Sequence, residues 1–229
     1  MDYIHTLKFT TKEEFSKYFE FEGVEHLESA YKKGNGVICM TGHVSSWEFS
    51  AIMPPVLGFE TSAVSYKIRS SKINDLIIGY REKRGMKNIS RGNVYEQLIE
   101  VLNKGECLII MTDQDCSTKG VFIDFFDKPA YTPIGIVRLA QDTKAVIVPM
   151  FTIRKPDKKY IFKILPEVPL IETGDIEKDL LENTKIHSDI YEKIIREYPE
   201  QWVWMHQRWK TTPESLERYL KNKRKKVKE

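Results

Sequence analysis

The sequence has few cysteines and no long apolar run, and both shortages exclude whole classes of protein. Its 229 residues include only three cysteines, Cys39, Cys107 and Cys116, and no two of them form a C-x-x-C pair. Neither a disulfide framework nor a zinc site is therefore indicated, and the free thiols fit a reducing compartment. No window approaches the 18 consecutive apolar residues typical of a membrane-spanning helix, and the N-terminus lacks the layout of a signal peptide.

An excess of charge of one sign is also missing. The formal net charge is +3, from 36 Lys and Arg against 33 Asp and Glu, so the molecule as a whole does not attract nucleic acid. The basic excess is local, because the run from Lys221 to Lys228 carries six positive side chains. Such a run is typical of a solvated chain end or of a segment that binds anionic lipid headgroups. We predict one domain over residues 1–220, a basic tail over residues 221–229, and no nucleic-acid partner.

What the sequence does contain is an alternation of short apolar runs and segments with helical periodicity. The apolar runs predict strands at Val37–Thr41, Ser62–Tyr66, Glu106–Met111, Ala145–Thr152 and Tyr160–Leu165, with Val121–Phe126 as a further short candidate. The periodic segments predict helices at Glu13–Phe19, Gly23–Lys32, Ser46–Leu57, Ser71–Arg84, Val94–Asn103, Pro133–Gln141 and Ile176–Tyr198. This alternation predicts an α/β fold, with a central mixed, mostly parallel sheet covered by helices on both faces and a helical C-terminal extension.

The polar segment that follows the first predicted strand contains the first functional candidates. His43 lies two residues beyond Thr41, and Glu48 follows His43 by five residues. If a helix begins near Ser45, Glu48 can reach back to His43, and a histidine oriented by a carboxylate can take a proton from an alcohol. The same residues also fit a capping box, with Ser45 as the N-cap and Glu48 at position N3. The local sequence leaves both interpretations open.

A second polar cluster, Thr112–Asp115, follows the predicted strand Glu106–Met111. Because ligands of α/β sheets bind beyond the carboxyl ends of the strands, we expect this cluster and His43 to share one cleft. Asp113 and Asp115 also spell D-x-D, a pattern that holds a divalent metal in sugar-nucleotide glycosyltransferases. Two carboxylates with no further ligand do not make a metal site, so we predict none.

Aromatic side chains are concentrated near the C-terminus. Trp202, Trp204 and Trp209 lie within one short segment together with His206. Because large aromatic rings bury much surface, we predict that these residues belong to the core and that His206 is a structural histidine.

Five blocks of sequence resemble, in the same order, the late acyltransferases of lipid A biosynthesis, a branch of the lysophospholipid and glycerolipid acyltransferase superfamily. The blocks are Gly36–Glu48, which contains His-x4-Glu, and then Tyr66–Gly85, Met111–Phe126, Ala130–Pro149 and Pro199–Pro213. The resemblance extends from about Glu22 to about Tyr219. It departs from the family at Lys67, where an arginine is common, and the hydrophobic N-terminal anchor typical of the family is not among these 229 residues.

The resemblance implies a glycerolipid acyltransferase-like fold and the transfer of a fatty acyl group. The donor would be a thioester of acyl carrier protein or coenzyme A, a co-substrate rather than a cofactor. The acceptor would be a hydroxyl of a lipid A-type glycolipid or a related phospholipid. The residues implied are His43 as general base, Glu48 as the group that orients it, and Arg81, Asp113, Lys67 and Arg84 as substrate-binding residues. The implied location is the cytoplasmic face of the inner membrane, with peripheral attachment through the basic C-terminus.

Two other functions remain as alternatives at this point. One is a metal-dependent glycosyltransferase that uses Asp113 and Asp115, which predicts loss of activity in a chelator. The other is a non-catalytic peripheral lipid-binding module, which predicts salt-sensitive vesicle binding without a new covalent product.

Overall fold

A computed structural model describes residues 6, 8–64, 70–89, 94–116 and 118–226. The strands are β1 (Phe19–Glu22), β2 (Val37–Thr41), β3 (Thr61–Val64), β4 (Met86–Ile89), β5 (Cys107–Met111), β6 (Gly120–Asp124), β7 (Pro129–Pro133), β8 (Val146–Arg154) and β9 (Tyr160–Ile164). The α-helices are α1 (Lys12–Phe15), α2 (Val24–Lys32), α3 (Trp47–Val56), α4 (Ser71–Glu82), α5 (Val94–Asn103), α6 (Gly135–Thr143), α7 (Ile176–Glu197) and α8 (Pro213–Lys226). A single 3-10 turn, Pro199–Gln201, follows α7.

Seven of these strands form the central sheet, in the order β1-β9-β8-β2-β5-β3-β4. Every neighbouring pair is parallel except β8 and β9, which are antiparallel. Strands β6 and β7 pair with each other as a separate antiparallel hairpin. The prediction of an α/β fold with a mixed, mostly parallel sheet is therefore confirmed.

Both faces of the sheet are buried, as the continuous apolar sequence of β2 requires. Successive side chains of a strand point to opposite faces. Val37 and Cys39 belong to a core cluster that includes residues of α2 and α3, whereas Ile38 and Met40 belong to a second cluster with residues of α5, α6 and α7. A strand covered on both faces reads as an unbroken apolar run, which is why the sequence predicted β2 with its correct bounds.

Three short strands, β1, β4 and β7, were not predicted. The predicted helix Glu13–Phe19 ends at Phe15, and β1 begins at Phe19 and pairs with β9, in the register Phe19 with Tyr160. Strand β4 has only four residues, and β7 has a proline at each end, a residue that argues against a strand when the sequence is read alone.

The C-terminal helix α8 continues through most of the predicted basic tail, since its backbone remains helical to Lys226. The boundary predicted after residue 220 lies within this helix. Among the described residues, no helix combines the length and the apolar character needed to cross a bilayer.

Candidate active site

The site lies where β2 and β5 end, next to each other in the middle of the sheet. These parallel strands are paired in register, with Thr41 opposite Met111. His43 and Asp113 each follow the last residue of their strand by two positions, so the register alone brings them to the same place. The two polar clusters, which were predicted to share one cleft, therefore lie together at the carboxyl ends of these strands.

Asp113 holds His43 through two hydrogen bonds. Its Oδ1 lies 2.9 Å from Nδ1 of the imidazole, and its Oδ2 accepts the backbone N–H of His43 at 2.8 Å. The Asp113 side chain is 1% exposed and that of His43 is 23% exposed. Because a carboxylate only accepts hydrogen bonds, a neutral His43 ring carries its proton on Nδ1 and leaves Nε2 as the basic atom.

Tyr191 of α7 connects the loop that carries His43 to the loop that carries Asp113. Its hydroxyl donates to the carbonyl oxygen of Thr41 at 2.8 Å and lies 3.2 Å from the hydroxyl of Thr112. Burial raises the pKa of Tyr191, so the hydroxyl stays protonated and able to donate. Position 42 favours glycine, because a Cβ there would lie only 3.0 Å from the Tyr191 ring and 3.2 Å from Cγ of Asp113.

The segment Gln201–Val203, from the C-terminal part of the chain, pairs with the backbone of the His43 loop. Val44 and Trp202 form an isolated antiparallel bridge, and the N–H of Val203 donates to the carbonyl of His43 at 3.1 Å. The indole Nε1 of Trp202 donates to Oδ2 of Asp113 at 2.9 Å. The carboxylate of Asp113 therefore accepts three N–H donors, two from His43 and one from Trp202.

Arg208 is a buried cation near the carboxylates of Asp113 and Asp115. Arg208 is 1% exposed, and its guanidinium donates to the carbonyl of Tyr131 and to the hydroxyl of Thr132 on β7. Burial lowers the pKa of Arg208, and the nearby carboxylates of Asp113 and Asp115 oppose that shift. Buried charges are stable only when they are compensated in this way.

The turn between His43 and α3 corrects the capping-box interpretation. Ser45 has a φ of 52°, which is uncommon for a residue with a side chain, and its N–H donates to the carbonyl of Gln201 at 2.6 Å. The N-cap is Ser46, whose side chain makes no capping hydrogen bond, and α3 begins at Trp47. Glu48 is thus at the second helical position, so the capping-box interpretation is wrong.

Glu48 binds Arg81 rather than His43. Its Oε1 lies 2.6 Å from one terminal nitrogen of the guanidinium, and its Oε2 accepts Nε–H at 3.0 Å. This two-point contact uses both carboxylate oxygens and connects the first turn of α3 to the last turn of α4. The pairing predicted for Glu48 with His43 is corrected by this contact, because Nδ1 of His43 already binds Asp113.

The two remaining predicted substrate-binding residues have different outcomes. Arg84 is 3% exposed, donates to the backbone carbonyls of Tyr80 and Thr6, and stacks with its guanidinium carbon 3.4 Å from the centre of the Tyr80 ring. These are the contacts of a structural arginine, which argues against a substrate-binding role. Lys67 lies outside the described residues.

The carboxylates of the D-x-D sequence are engaged by N–H donors. Those of Asp113 are described above, and Oδ2 of Asp115, which is 1% exposed, accepts the backbone N–H of Thr211 at 3.0 Å. Donor hydrogens directed at the carboxylate oxygens do not suit metal ligation. Within the described part of the chain, no three His, Cys, Asp or Glu side chains are grouped in a way that could hold a metal ion. The geometry therefore disfavours the metal-dependent glycosyltransferase.

Trp202, like Tyr191 and Arg208, is a residue of this site that was not predicted from the sequence. It was predicted as core, and it is indeed buried at 4% exposure, but its ring also carries the donor that reaches Asp113. The available signal was that a buried indole N–H needs a polar partner. Trp204 is 51% exposed, so its prediction as core is wrong.

Comparison with known proteins gives consistent matches along the chain. The model of the family described as bacterial lipid A biosynthesis acyltransferase matches residues 1–211. A lipid A biosynthesis acyltransferase from Haemophilus influenzae is 27% identical over 211 residues, which are 91% of this chain and 64% of that protein. A phosphatidylinositol mannoside acyltransferase from Mycobacterium tuberculosis is 24% identical over 82% of this chain and 58% of its own length. A lipid A biosynthesis lauroyltransferase from Escherichia coli is 27% identical over 88% of this chain and 65% of its own length.

The chain thus spans about 58–65% of the length of these curated relatives. Among solved structures, the crystal structure of the 1-acyl-sn-glycerophosphate (LPA) acyltransferase, PlsC, from Thermotoga maritima is similar over 81% of this chain and 74% of that chain. The TM-score is 0.46 and the sequence identity is 17%.

Proposed function

This chain belongs to the bacterial lipid A biosynthesis acyltransferase family, and from that membership we propose that it is an O-acyltransferase acting on a glycolipid. The donor is a fatty acyl thioester of acyl carrier protein or coenzyme A, and the acceptor is a hydroxyl of a lipid A-type glycolipid or a related lipid. The names of the relatives support a glycolipid acceptor, since they include lipid A and phosphatidylinositol mannoside acyltransferases. No cofactor is proposed, because the thioester is a co-substrate.

The observation that carries the proposal is the hydrogen bond between Nδ1 of His43 and the buried carboxylate of Asp113. An alcohol must lose its proton as it attacks a thioester, and an imidazole with Nδ1–H bound to a carboxylate is suited to accept that proton at Nε2. Asp113 also stabilises the imidazolium that forms. The partial exposure of His43, beside a fully buried Asp113, leaves the base open to a substrate.

The proposed step needs no nucleophile from the protein. The acceptor hydroxyl gives its proton to Nε2 of His43 while its oxygen forms a bond to the thioester carbonyl carbon. The tetrahedral intermediate then collapses, the carbon–sulfur bond breaks, and the imidazolium returns the proton to the leaving thiolate. The products are an ester and a free thiol, so atoms and charge balance without another reactant.

The negative charge on the tetrahedral oxygen requires hydrogen-bond donors. The backbone N–H groups of Trp47 and Glu48 open α3 four and five residues after His43, at the positive end of the helix dipole. Ser45 is not available for this role because its N–H donates to Gln201. We assign the oxyanion to the first turn of α3.

Arg81 is the proposed contact for an anionic group of the donor or the acceptor. Its guanidinium is held by Glu48 and its side chain is 16% exposed, so it is rigid and partly open to solvent. A planar guanidinium in a fixed orientation is suited to phosphate or carboxylate. Glu48 therefore acts on Arg81 in this proposal, rather than on the base.

The first test is mass spectrometry of lipid extracts incubated with the protein and lauroyl-acyl carrier protein. Acyl transfer predicts a lipid whose mass increases by one lauroyl group, which also identifies the acceptor. The same extracts without the thioester provide the control. If a broad panel of thioesters and lipids gives no product while the protein still binds vesicles, the proposal fails in favour of a non-catalytic lipid-binding module.

We also propose peripheral contact with the cytoplasmic face of the inner membrane, because apolar and basic segments lie beside the site. Met205 is 91% exposed and Trp204 is half exposed, and this pair directly follows Val203, whose N–H binds the His43 carbonyl. The basic helix α8 begins two residues after Thr211, which binds Asp115. An apolar tip beside a basic segment suits an anionic lipid surface.

Vesicle co-sedimentation tests this contact. Binding to phosphatidylcholine vesicles should require added phosphatidylglycerol and should weaken as salt rises. Met205→Ser should weaken binding, whereas Ile176→Ser should not, since Ile176 is equally apolar and 60% exposed but lies about 22 Å along α7 from Tyr191. Equal weakening by both variants would contradict an oriented contact at the His43 end of the molecule.

A further inference from the structure

The carboxylate of Asp113 depends on more than its partnership with His43. Oδ1 binds the imidazole, and Oδ2 receives both the His43 backbone N–H at 2.8 Å and the Trp202 indole at 2.9 Å. The terminal torsion of an aspartate side chain is broad, so hydrogen bonds rather than rotamer preference set the plane of this carboxylate. The indole is the donor that comes from outside the two strand-end loops.

Trp202 is itself fixed relative to His43. It is 4% exposed and forms a backbone bridge with Val44, the residue directly after His43. The flanking residues Gln201 and Val203 hydrogen-bond to Ser45 and His43 respectively. The indole N–H is therefore held at a constant position with respect to the backbone that carries the base.

We propose that Trp202 is a positioning residue for acyl transfer, whose indole N–H holds the Asp113 carboxylate in the plane that keeps the proton on Nδ1 of His43. This inference rests on the proposed function of His43 as the base. Without the indole, the carboxylate can turn about its terminal torsion. The His43 ring then spends less time in the tautomer with its proton on Nδ1, and its Nε2 is less often directed at the acceptor hydroxyl. The effect appears in the chemical step and not in substrate binding.

The chain provides a matched control in Trp209. Its ring centre lies 5.8 Å from that of Phe125, the same separation as for Trp202, so both indoles pack in one aromatic cluster. The Trp209 Nε1 is buried and has no hydrogen-bond acceptor among the described residues. Replacing either tryptophan with phenylalanine removes the same atoms, but only one of the two replacements removes a donor from Asp113.

The test compares Trp202→Phe with Trp209→Phe, using lauroyl-acyl carrier protein and a lipid A-type glycolipid as substrates. We expect Trp202→Phe to lower kcat by about 10- to 100-fold, the usual effect of a hydrogen bond to a charged group, with KM nearly unchanged. Trp209→Phe should keep wild-type kcat. In an Asp113→Ala background, Trp202→Phe should cause no further loss, because Trp202 acts through Asp113. Equal kcat for the two tryptophan variants, or independent losses in the double variant, would overturn the proposal.

A measurement on the wild-type chain guards against variants that do not fold. With 15N-labelled tryptophan, the Trp202 indole proton should resonate downfield of the Trp209 indole proton, because it donates to a carboxylate. The reverse order would refute the hydrogen bond. If His43→Ala keeps full kcat, the proposed base chemistry fails; if His43→Ala is inactive and Trp202→Phe matches Trp209→Phe, only the role of Trp202 fails.

Discussion

Replacing His43 with alanine is expected to lower kcat for acyl transfer by about 100- to 10,000-fold, the usual contribution of a general base. The acceptor hydroxyl would have no imidazole to take its proton, and Asp113 is a poor substitute because its side chain is 1% exposed and its Oδ2 still accepts two N–H donors. Steady-state kinetics with lauroyl-acyl carrier protein and the acceptor lipid measure the change. The KM values should change much less, because the imidazole acts on the transition state.

His26→Ala is a suitable control for this variant. His26 is half-buried on α2, directly after β1, which pairs parallel with β9. Since β9 runs antiparallel to β8, and β8 runs parallel to β2, β1 runs in the opposite direction to β2. The end of β1 therefore lies at the other end of the strands from Thr41. His26→Ala should therefore retain wild-type kcat. A folded His43→Ala protein with unchanged kcat would show that His43 is not the base.

Replacing Asp113 with asparagine is expected to lower kcat by a similar factor, about 100- to 10,000-fold, although only one atom changes. An amide NH2 directed at Nδ1 of His43 donates to it, and this favours the ring tautomer with its proton on Nε2. That tautomer cannot accept a proton from the substrate. If the amide turns the other way, its NH2 faces the His43 N–H and the Trp202 indole, both of which are donors.

Glu48→Gln is the matched comparison, because it makes the same change from carboxylate to amide five residues from His43 in the sequence. Its expected effect is mainly on KM, roughly tenfold, since the amide weakens the hold on Arg81 and leaves the base intact. The ratio of the two kcat losses therefore identifies the carboxylate that orients His43. A larger kcat loss in Glu48→Gln than in Asp113→Asn would reverse the assignment and return the role to Glu48.

The sequence alone was sufficient for the architecture around the site. The apolar run Val37–Thr41 is a central strand with its predicted bounds, and Glu106–Met111 differs from β5 by one residue. Both strands are buried on two faces, and burial of that kind requires an uninterrupted apolar sequence. Since parallel strands end at the same edge, the two polar clusters that follow them could be placed together before any coordinates were known.

The short elements could not be predicted in the same way. Strands β1 and β4 have four residues each, which is too few for a periodic pattern to be distinguished from a turn or a helix end. Their hydrogen bonds come from strands far along the chain, as when Phe19 pairs with Tyr160. The burial of Arg84 could not be predicted either, because its hydrogen-bond partner Thr6 is 78 residues away in the sequence.

What the sequence by itself determined is the fold class, the central strands, the family and the position of His43 at a strand end. The choice of partner for His43 was decided only by the tertiary structure. Glu48 is five residues away, but the turn at Ser45 and the helix that begins at Trp47 direct it to Arg81. Asp113 is 70 residues away and reaches His43 because β2 and β5 pair in register. Hydrogen-bond partners are set by distance in space, and in a parallel sheet that distance depends on strand pairing rather than on separation along the chain.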